Sequence, residues 1–236
     1  MSSDRCALLS ATFWEAGYEH LVELVHQRDP LARRHLSSLD VAVHDAEGTL
    51  LGGAPVDPRR EALDLSALVA EIAGPVDRAM VTFDARYDAR VFPYRPHHYA
   101  FLHRRGSDAP PLYYAVNAVL GGVPDRIGAT NINNFETYVF RRRPFAARYS
   151  VVLGNSARFA TAEAQVFAYY GGERVAREVA LGPKAHVEVD VAPERGGRRL
   201  ERVEVKALFR LASYVVGRRA DSGDLVLFDH LFTYIK

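Results

Sequence analysis

The 236-residue sequence predicts an all-β protein: an antiparallel β-sandwich in two related halves, with little helix. Three observations predict it. Short β-branched and aromatic segments alternate apolar and polar residues with period two, the pattern of a strand with one wet face. Gly, Pro and Asp clusters separate these segments at hairpin spacing. The order of segments in the first half also recurs in the second. A composition of 48% hydrophobic and 25% charged residues supplies enough apolar surface for folded cores and excludes intrinsic disorder.

In chain order, Ala11-Thr12-Phe13-Trp14 opens the first half with strand formers. Leu21-Val22-Glu23-Leu24-Val25 fits a helix or an alternating strand, and the strand is favoured. Leu39-Asp40-Val41-Ala42-Val43-His44 alternates, turns through Asp45-Ala46-Glu47-Gly48 and resumes at Thr49-Leu50-Leu51. Ala62-Leu63-Asp64-Leu65 follows, then a short helical turn around Leu68 to Ile72 and a strand at Ala79-Met80-Val81-Thr82-Phe83. In the second half the clearest hairpin is Ala164 to Tyr170, turned by Gly171-Gly172 into Arg174 to Val179. His186 to Val191 places Val187, Val189 and Val191 on one face and His186, Glu188 and Asp190 on the other. Val203 to Ala207, Ser213 to Val216 and Leu225 to Phe228 continue the series, so this half is expected to be all-β.

Laid side by side, the halves match in order. Ala11-Thr12-Phe13-Trp14 aligns with Glu136-Thr137-Tyr138-Val139, and Val41 to Gly48 with Val166 to Gly172. Ala62-Leu63-Asp64-Leu65 aligns with His186-Val187-Glu188-Val189, and Tyr99 to Arg105 with Ser213 to Arg219. The spacing predicts an insertion near 87–96 of the first half, a cheap change in a loop. Gly121-Gly122-Val123-Pro124 reads as the linker, dividing the chain into 1–121 and 122–236.

Tyr149 to Ser156, the Ala164 to Tyr170 strand, its Gly171-Gly172 turn, His186 to Val191 and Ser213 to Arg219 together resemble the small β-sandwich of sensory rhodopsin transducer proteins. The resemblance covers the second half and, more faintly, the first. It implies a cytoplasmic, oligomer-forming module that binds a ligand or partner. It transfers no functional residue.

Charge and motif content narrow the function classes. Thirty Lys and Arg against 29 Asp and Glu leave a formal charge of +1, which gives no case for nucleic acid or an anionic membrane as partner. No run of about 18 apolar residues is present, so no membrane span is expected. The first twenty residues lack the basic start and apolar core of a secretory signal. One cysteine, Cys6, excludes an intramolecular disulfide and fits a reducing cytoplasm. The sequence holds no G-x-S-x-G, G-x-x-x-x-G-K or H-E-x-x-H motif, so a binding or assembly module is expected rather than an enzyme.

Candidate contacts come from aromatic, imidazole and arginine side chains, which bury area or anions efficiently. Tyr94, His97, His98, Tyr99, Arg104 and Arg105 form one set, and Arg218, Arg219, Asp229 and His230 the matching one in the other half. Arginine forks at Arg104-Arg105, Arg141-Arg142-Arg143 and Arg218-Arg219 suit a small anionic or polar ligand. A protein partner is the other occupant expected. The apolar tail from Leu225 to Ile235 belongs inside a sheet or a homo-oligomer interface. The alternative is a metal-assisted enzyme in which His97, His98 and His230 hold iron or zinc and Glu136 or Asp229 acts as base. Otherwise no cofactor is expected. Asn131-Ile132-Asn133-Asn134 beside Glu136 reads chiefly as turn residues ahead of a strand.

Overall fold

The computed structural model describes residues 6–24, 30–88, 98–120, 133–138, 148–207 and 211–234. The chain divides into two compact units, Met1–Val123 and Pro124–Lys236. The first contains β1 (Cys6–Glu15), β2 (Tyr18–Glu23), α1 (Pro30–His35), β3 (Leu36–His44), β4 (Leu50–Val56) and β5 (Ala62–Asp64). It continues with α2 (Leu65–Ala73), β6 (Arg78–Tyr87), β7 (Tyr99–Arg104), β8 (Leu112–Ala115) and β9 (Asn117–Leu120). The second contains β10 (Asn133–Tyr138), β11 (Arg148–Gly154), β12 (Ala162–Tyr170), β13 (Glu173–Leu181) and β14 (His186–Val191). After it come β15 (Glu194–Arg195), β16 (Arg198–Arg199), β17 (Arg202–Ala207), β18 (Ala212–Arg218), β19 (Leu225–His230) and β20 (Phe232–Tyr234). The described residues are thus all-β, with two short helices.

Among the described residues each unit has one five-stranded and one four-stranded sheet, and the second adds the two-stranded β15-β16 hairpin. In the first, the orders are β4-β3-β6-β1-β9 and β5-β2-β7-β8. In the second they are β13-β12-β17-β10-β20 and β14-β11-β18-β19. With the β15-β16 hairpin set aside and the remaining strands counted from the start of each unit, the two sets of orders are the same. The pairing is antiparallel throughout both pairs of sheets.

The period-two patterning explains the layering. In the first unit Val41 and Val43 of β3, Val81 and Phe83 of β6, and Val22 of β2 are buried. In the second, Val151 and Leu153 of β11, Val166 of β12 and Val205 of β17 take that role. Each such side chain contributes about 1.5–3 kcal/mol by leaving water. The hydroxyls of Thr12 on β1 and Tyr114 on β8 hydrogen-bond at 2.6 Å, which places the two sheets of the first unit face to face.

Local chemistry sets the details. Gly171 and Gly172 adopt positive φ, 54° and 91°, as a two-residue turn between β12 and β13 requires. The helical turn expected at Leu68 to Ile72 is a nine-residue helix, because Asp64 caps its start by accepting from the Ala67 amide at 3.0 Å. Leu65 and Val69, one turn apart, bury its inner side. Gly52 on β4 faces the end of that helix: an added Cβ would sit 1.9 Å from the Ile72 carbonyl oxygen.

Val139 lies outside the described residues; otherwise each of the four segment pairs matched in sequence maps to strands holding the same place in the two sets of orders. For three the register also agrees. Ala11 pairs with Thr82, and Glu136 with Glu204. Val41 pairs with Phe83, and Val166 with Val205. Leu63 pairs with Val22, and Val187 with Leu153. The fourth match is displaced by one residue, since Val22 pairs with Ala100 while Leu153 pairs with Ser213. Ala100, not Tyr99, therefore corresponds to Ser213. A one-residue slip exchanges the two faces of a strand, and a run such as Tyr214-Val215-Val216, apolar on both faces, conceals it from the sequence.

Candidate functional site

The structure disperses the predicted contacts. Tyr94 and His97, most of the expected insertion, and Arg141-Arg142-Arg143 lie outside the described residues. His98 is 1% exposed, and its ring meets the Phe83 ring edge-on at 5.8 Å, so it belongs to the core and not to a surface loop. Arg104, the last residue of β7, and Arg105, in the turn after it, are exposed. Arg218 lies 3.9 Å from the Glu188 carboxylate, and Arg219 forms a two-point ion pair with Asp221 at 3.0 and 2.8 Å. The Arg219 pair holds the Asp221 carboxyl down to about 2. Asp229 and His230 are neighbours on β19, with Oδ1 and Nδ1 at 3.4 Å. Glu136 lies on β10 directly across from Glu204. Among the described residues no group of three or more His, Cys, Asp or Glu side chains is gathered as a metal site would need.

One predicted residue, Tyr99, belongs to a surface that sequence reasoning missed. The strand register of the first unit's four-stranded sheet aligns Asp64, Leu21, Phe101 and Tyr113 in one row across β5, β2, β7 and β8. The next row holds Ala62, Glu23, Tyr99 and Ala115, and Glu19 pairs with His103 on the other side. All of these share the sheet's outer face, because alternate residues on a strand point the same way. Leu21 is 43% exposed, Phe101 39% and Tyr113 55%. Three of the six exposed large hydrophobic side chains among the described residues therefore stand side by side. The Tyr99 and Tyr113 rings are stacked, 5.4 Å apart and 9° from parallel, and the Phe101 and Tyr113 centroids are 4.8 Å apart.

The residues between these rings explain how the platform is held. Tyr114, next to Tyr113, points inward, where its hydroxyl meets Thr12 Oγ1 and His20 Nε2, each at 2.6 Å. The His20 amide donates to Ser66 Oγ at 3.0 Å, and Ser66 donates to the Tyr18 carbonyl. Burial pushes the His20 imidazole down to about 3, against a smaller opposing attraction from Asp64, so it is neutral across the physiological range. The chain Thr12–Tyr114–His20 ties the edge strand β8 to the core and so keeps Tyr113 on the outer face.

The outer face of the second unit's five-stranded sheet carries aromatic rings of another kind. Arg174 lies over Phe167 at 4.8 Å, with Lys206 at 5.2 Å from the same ring, and Arg202 lies over Tyr169 at 4.0 Å. Burial alone would raise the Glu204 carboxyl, but the Tyr169 hydroxyl and the Lys206 ammonium, 3.4 Å away, hold it below the ordinary value. Beside it, Glu163, Gln165, Glu178 and Lys206 line an open groove of about 580 Å³.

No protein-family profile matches the chain, and no curated protein matches it. Among solved structures it is similar to a Pleurotus ostreatus lectin in its apo form. That similarity spans 98% of this chain and 75% of the lectin, at 10% identity and a TM-score of 0.24.

Proposed function

We propose that the protein is a non-catalytic binding module, made of two copies of one β-sandwich unit, that takes its ligand or partner on the outer face of β5-β2-β7-β8. The observation that carries this is the cross-strand row of Leu21, Phe101 and Tyr113, with Tyr99 stacked beside it. Clustered exposed rings cost solubility, and Tyr and Phe supply contact area at low rotamer entropy, which is why contiguous apolar patches mark binding surfaces. The repeated strand order supports the two-copy reading, and the single cysteine supports a reducing cytoplasm. β8 and β5, the outer strands of this sheet among the described residues, suit assembly into a homo-oligomer.

A probe panel of short peptides and neutral oligosaccharides, followed by amide chemical shifts in the intact chain, tests the location. Ligands should shift resonances of β7 and β8 and bind about tenfold more weakly to Phe101→Ala. Ligands that map elsewhere and ignore that substitution would remove the platform from the account.

A further inference from the structure

We propose that the first unit carries a further binding site, separate from the platform. It is a pocket at one end of the sandwich that takes a free amino acid with a large apolar side chain, holding the carboxylate on Arg105, the ammonium on Asp77 and the side chain against Trp14. The pocket is open, has a volume of about 610 Å³ and lies among Trp14 of β1, the Ala16-Gly17 turn, α2, the Pro75-Val76-Asp77 segment and Arg105. Small-molecule sites usually measure about 300–1,000 Å³. All the turns at this end of the unit, 16–17, 45–49, 74–77 and 105–111, belong to the described residues.

The turn between β1 and β2 builds the rim. Gly17 adopts a φ of 87° there, and the turn crosses from the five-stranded sheet to the four-stranded one. On one side the Ala16 amide donates to the Asp77 carbonyl at 2.8 Å, and on the other the Arg105 amide donates to the Gly17 carbonyl at 3.0 Å. Asp77 leads into β6 and Arg105 follows β7, so the two charges come from different sheets and their backbones are fixed before a ligand arrives. Ser66 also lines the pocket, but its hydroxyl is engaged by the His20 amide and the Tyr18 carbonyl. Trp14 is half-buried and its indole nitrogen is shut off from solvent, so the ring offers carbon, as do Ala70, Pro75 and Val76. What remains for polar contact is one exposed carboxylate and one exposed guanidinium, which form no ion pair with each other. A zwitterion answers each with a charge-assisted hydrogen bond, while its side chain covers the carbon wall. Being neutral as a whole, it is neither drawn nor repelled by the chain's formal charge of +1.

Trp14 is the only tryptophan of the chain, so its fluorescence reads this pocket in the intact protein. Titration with L-phenylalanine, which adds no indole, should shift the emission saturably. The apparent affinity should fall about tenfold in Arg105→Gln and in Asp77→Asn, with the parent circular dichroism retained because both side chains are exposed. L-Phenylalanine methyl ester, which lacks the carboxylate, should bind the parent chain about tenfold more weakly and lose nothing further in Arg105→Gln. Phe101→Ala should leave the titration unchanged, and its loss in that variant would move the amino acid to the platform and overturn the second site. A saturable shift with cellobiose and none with L-phenylalanine would overturn the zwitterion while keeping the pocket. No saturable shift with either, or one that both charge variants leave untouched, would overturn the proposal outright.

Discussion

Leu24 in the first unit and Asn155 in the second occupy the same backbone position. Each directly follows the strand in second place, and each donates its amide to the residue just before the fifth strand, Glu61 at 2.7 Å and Ala185 at 2.9 Å. Both are fully buried. Leucine closes its end of the sandwich by packing. Asparagine closes the other by donating to the carbonyls of Ala160, Leu181 and Gly182 while accepting from the Ala157 amide. The same contrast recurs inside: His20 and Tyr114 of the first unit correspond to Val151 and Leu231 of the second. One strand order thus accepts either an apolar or a hydrogen-bonded solution at the same point, provided the polar solution is satisfied.

The largest effect expected from breaking this comparison is at Asn155. Asn155→Leu installs the first unit's residue but withdraws a donor from the carbonyls of Ala160, Leu181 and Gly182, the last of which keeps the Ala185 amide, and should cost the second unit about 4 kcal/mol in urea unfolding. A loss under a quarter of that would show that the carbonyls find water. Gly52→Ala comes next, at about 3 kcal/mol, because the new methyl collides with the Ile72 carbonyl. The corresponding residue of the second unit is Val175, and the described residues of that unit include no helix. Val175→Ala should therefore cost only about 1 kcal/mol, and equal losses at the two positions would refute the account of α2.

Acid should separate the units by a smaller step. The imidazole of His20 is lowered to about 3 in the fold, so above its ordinary value of 6.5 both folded and unfolded chains are neutral there and nothing is gained or lost. Below that value the unfolded chain takes up a proton that the folded unit refuses. Stability therefore falls as pH drops from 6.5 toward 3, by about 2 kcal/mol at pH 5. His20→Val should flatten that slope in urea titrations of the first unit, and an unchanged slope would assign it to other groups. Smallest of all, Phe101→Ala should alter stability by less than about 1 kcal/mol, since the ring faces outward. A larger loss would make the platform part of the fold.

Much of the fold was legible because alternation is local. The Ala164 to Val179 hairpin, the His186 to Val191 strand and the ordered correspondence between halves can all be read along the chain. The platform was not legible, although Tyr99, Phe101 and His103 visibly alternate. Its partners Leu21 and Tyr113 lie far away in sequence, and only cross-strand register sets them beside Phe101. His98 misled for a related reason: next to Pro96 and His97 it looks like loop chemistry, yet it sits just ahead of β7, where the corresponding residue of the second unit is the buried Leu211. The arginine pairs misled through register, since Arg105 corresponds to Arg218 once the one-residue slip is corrected.

The residue pattern alone determined that strands form, roughly where they turn, and that the series runs twice, because side-chain alternation and turn chemistry depend on near neighbours. Which strands lie side by side, which of two apolar faces turns outward, and which distant rings and carboxylates share a surface were decided only when the sheets assembled. Those outcomes depend on hydrogen-bond register between segments far apart in the chain, as where β7 aligns Phe101 with Leu21 on one side and Tyr113 on the other, and a register shift of a single residue reverses them.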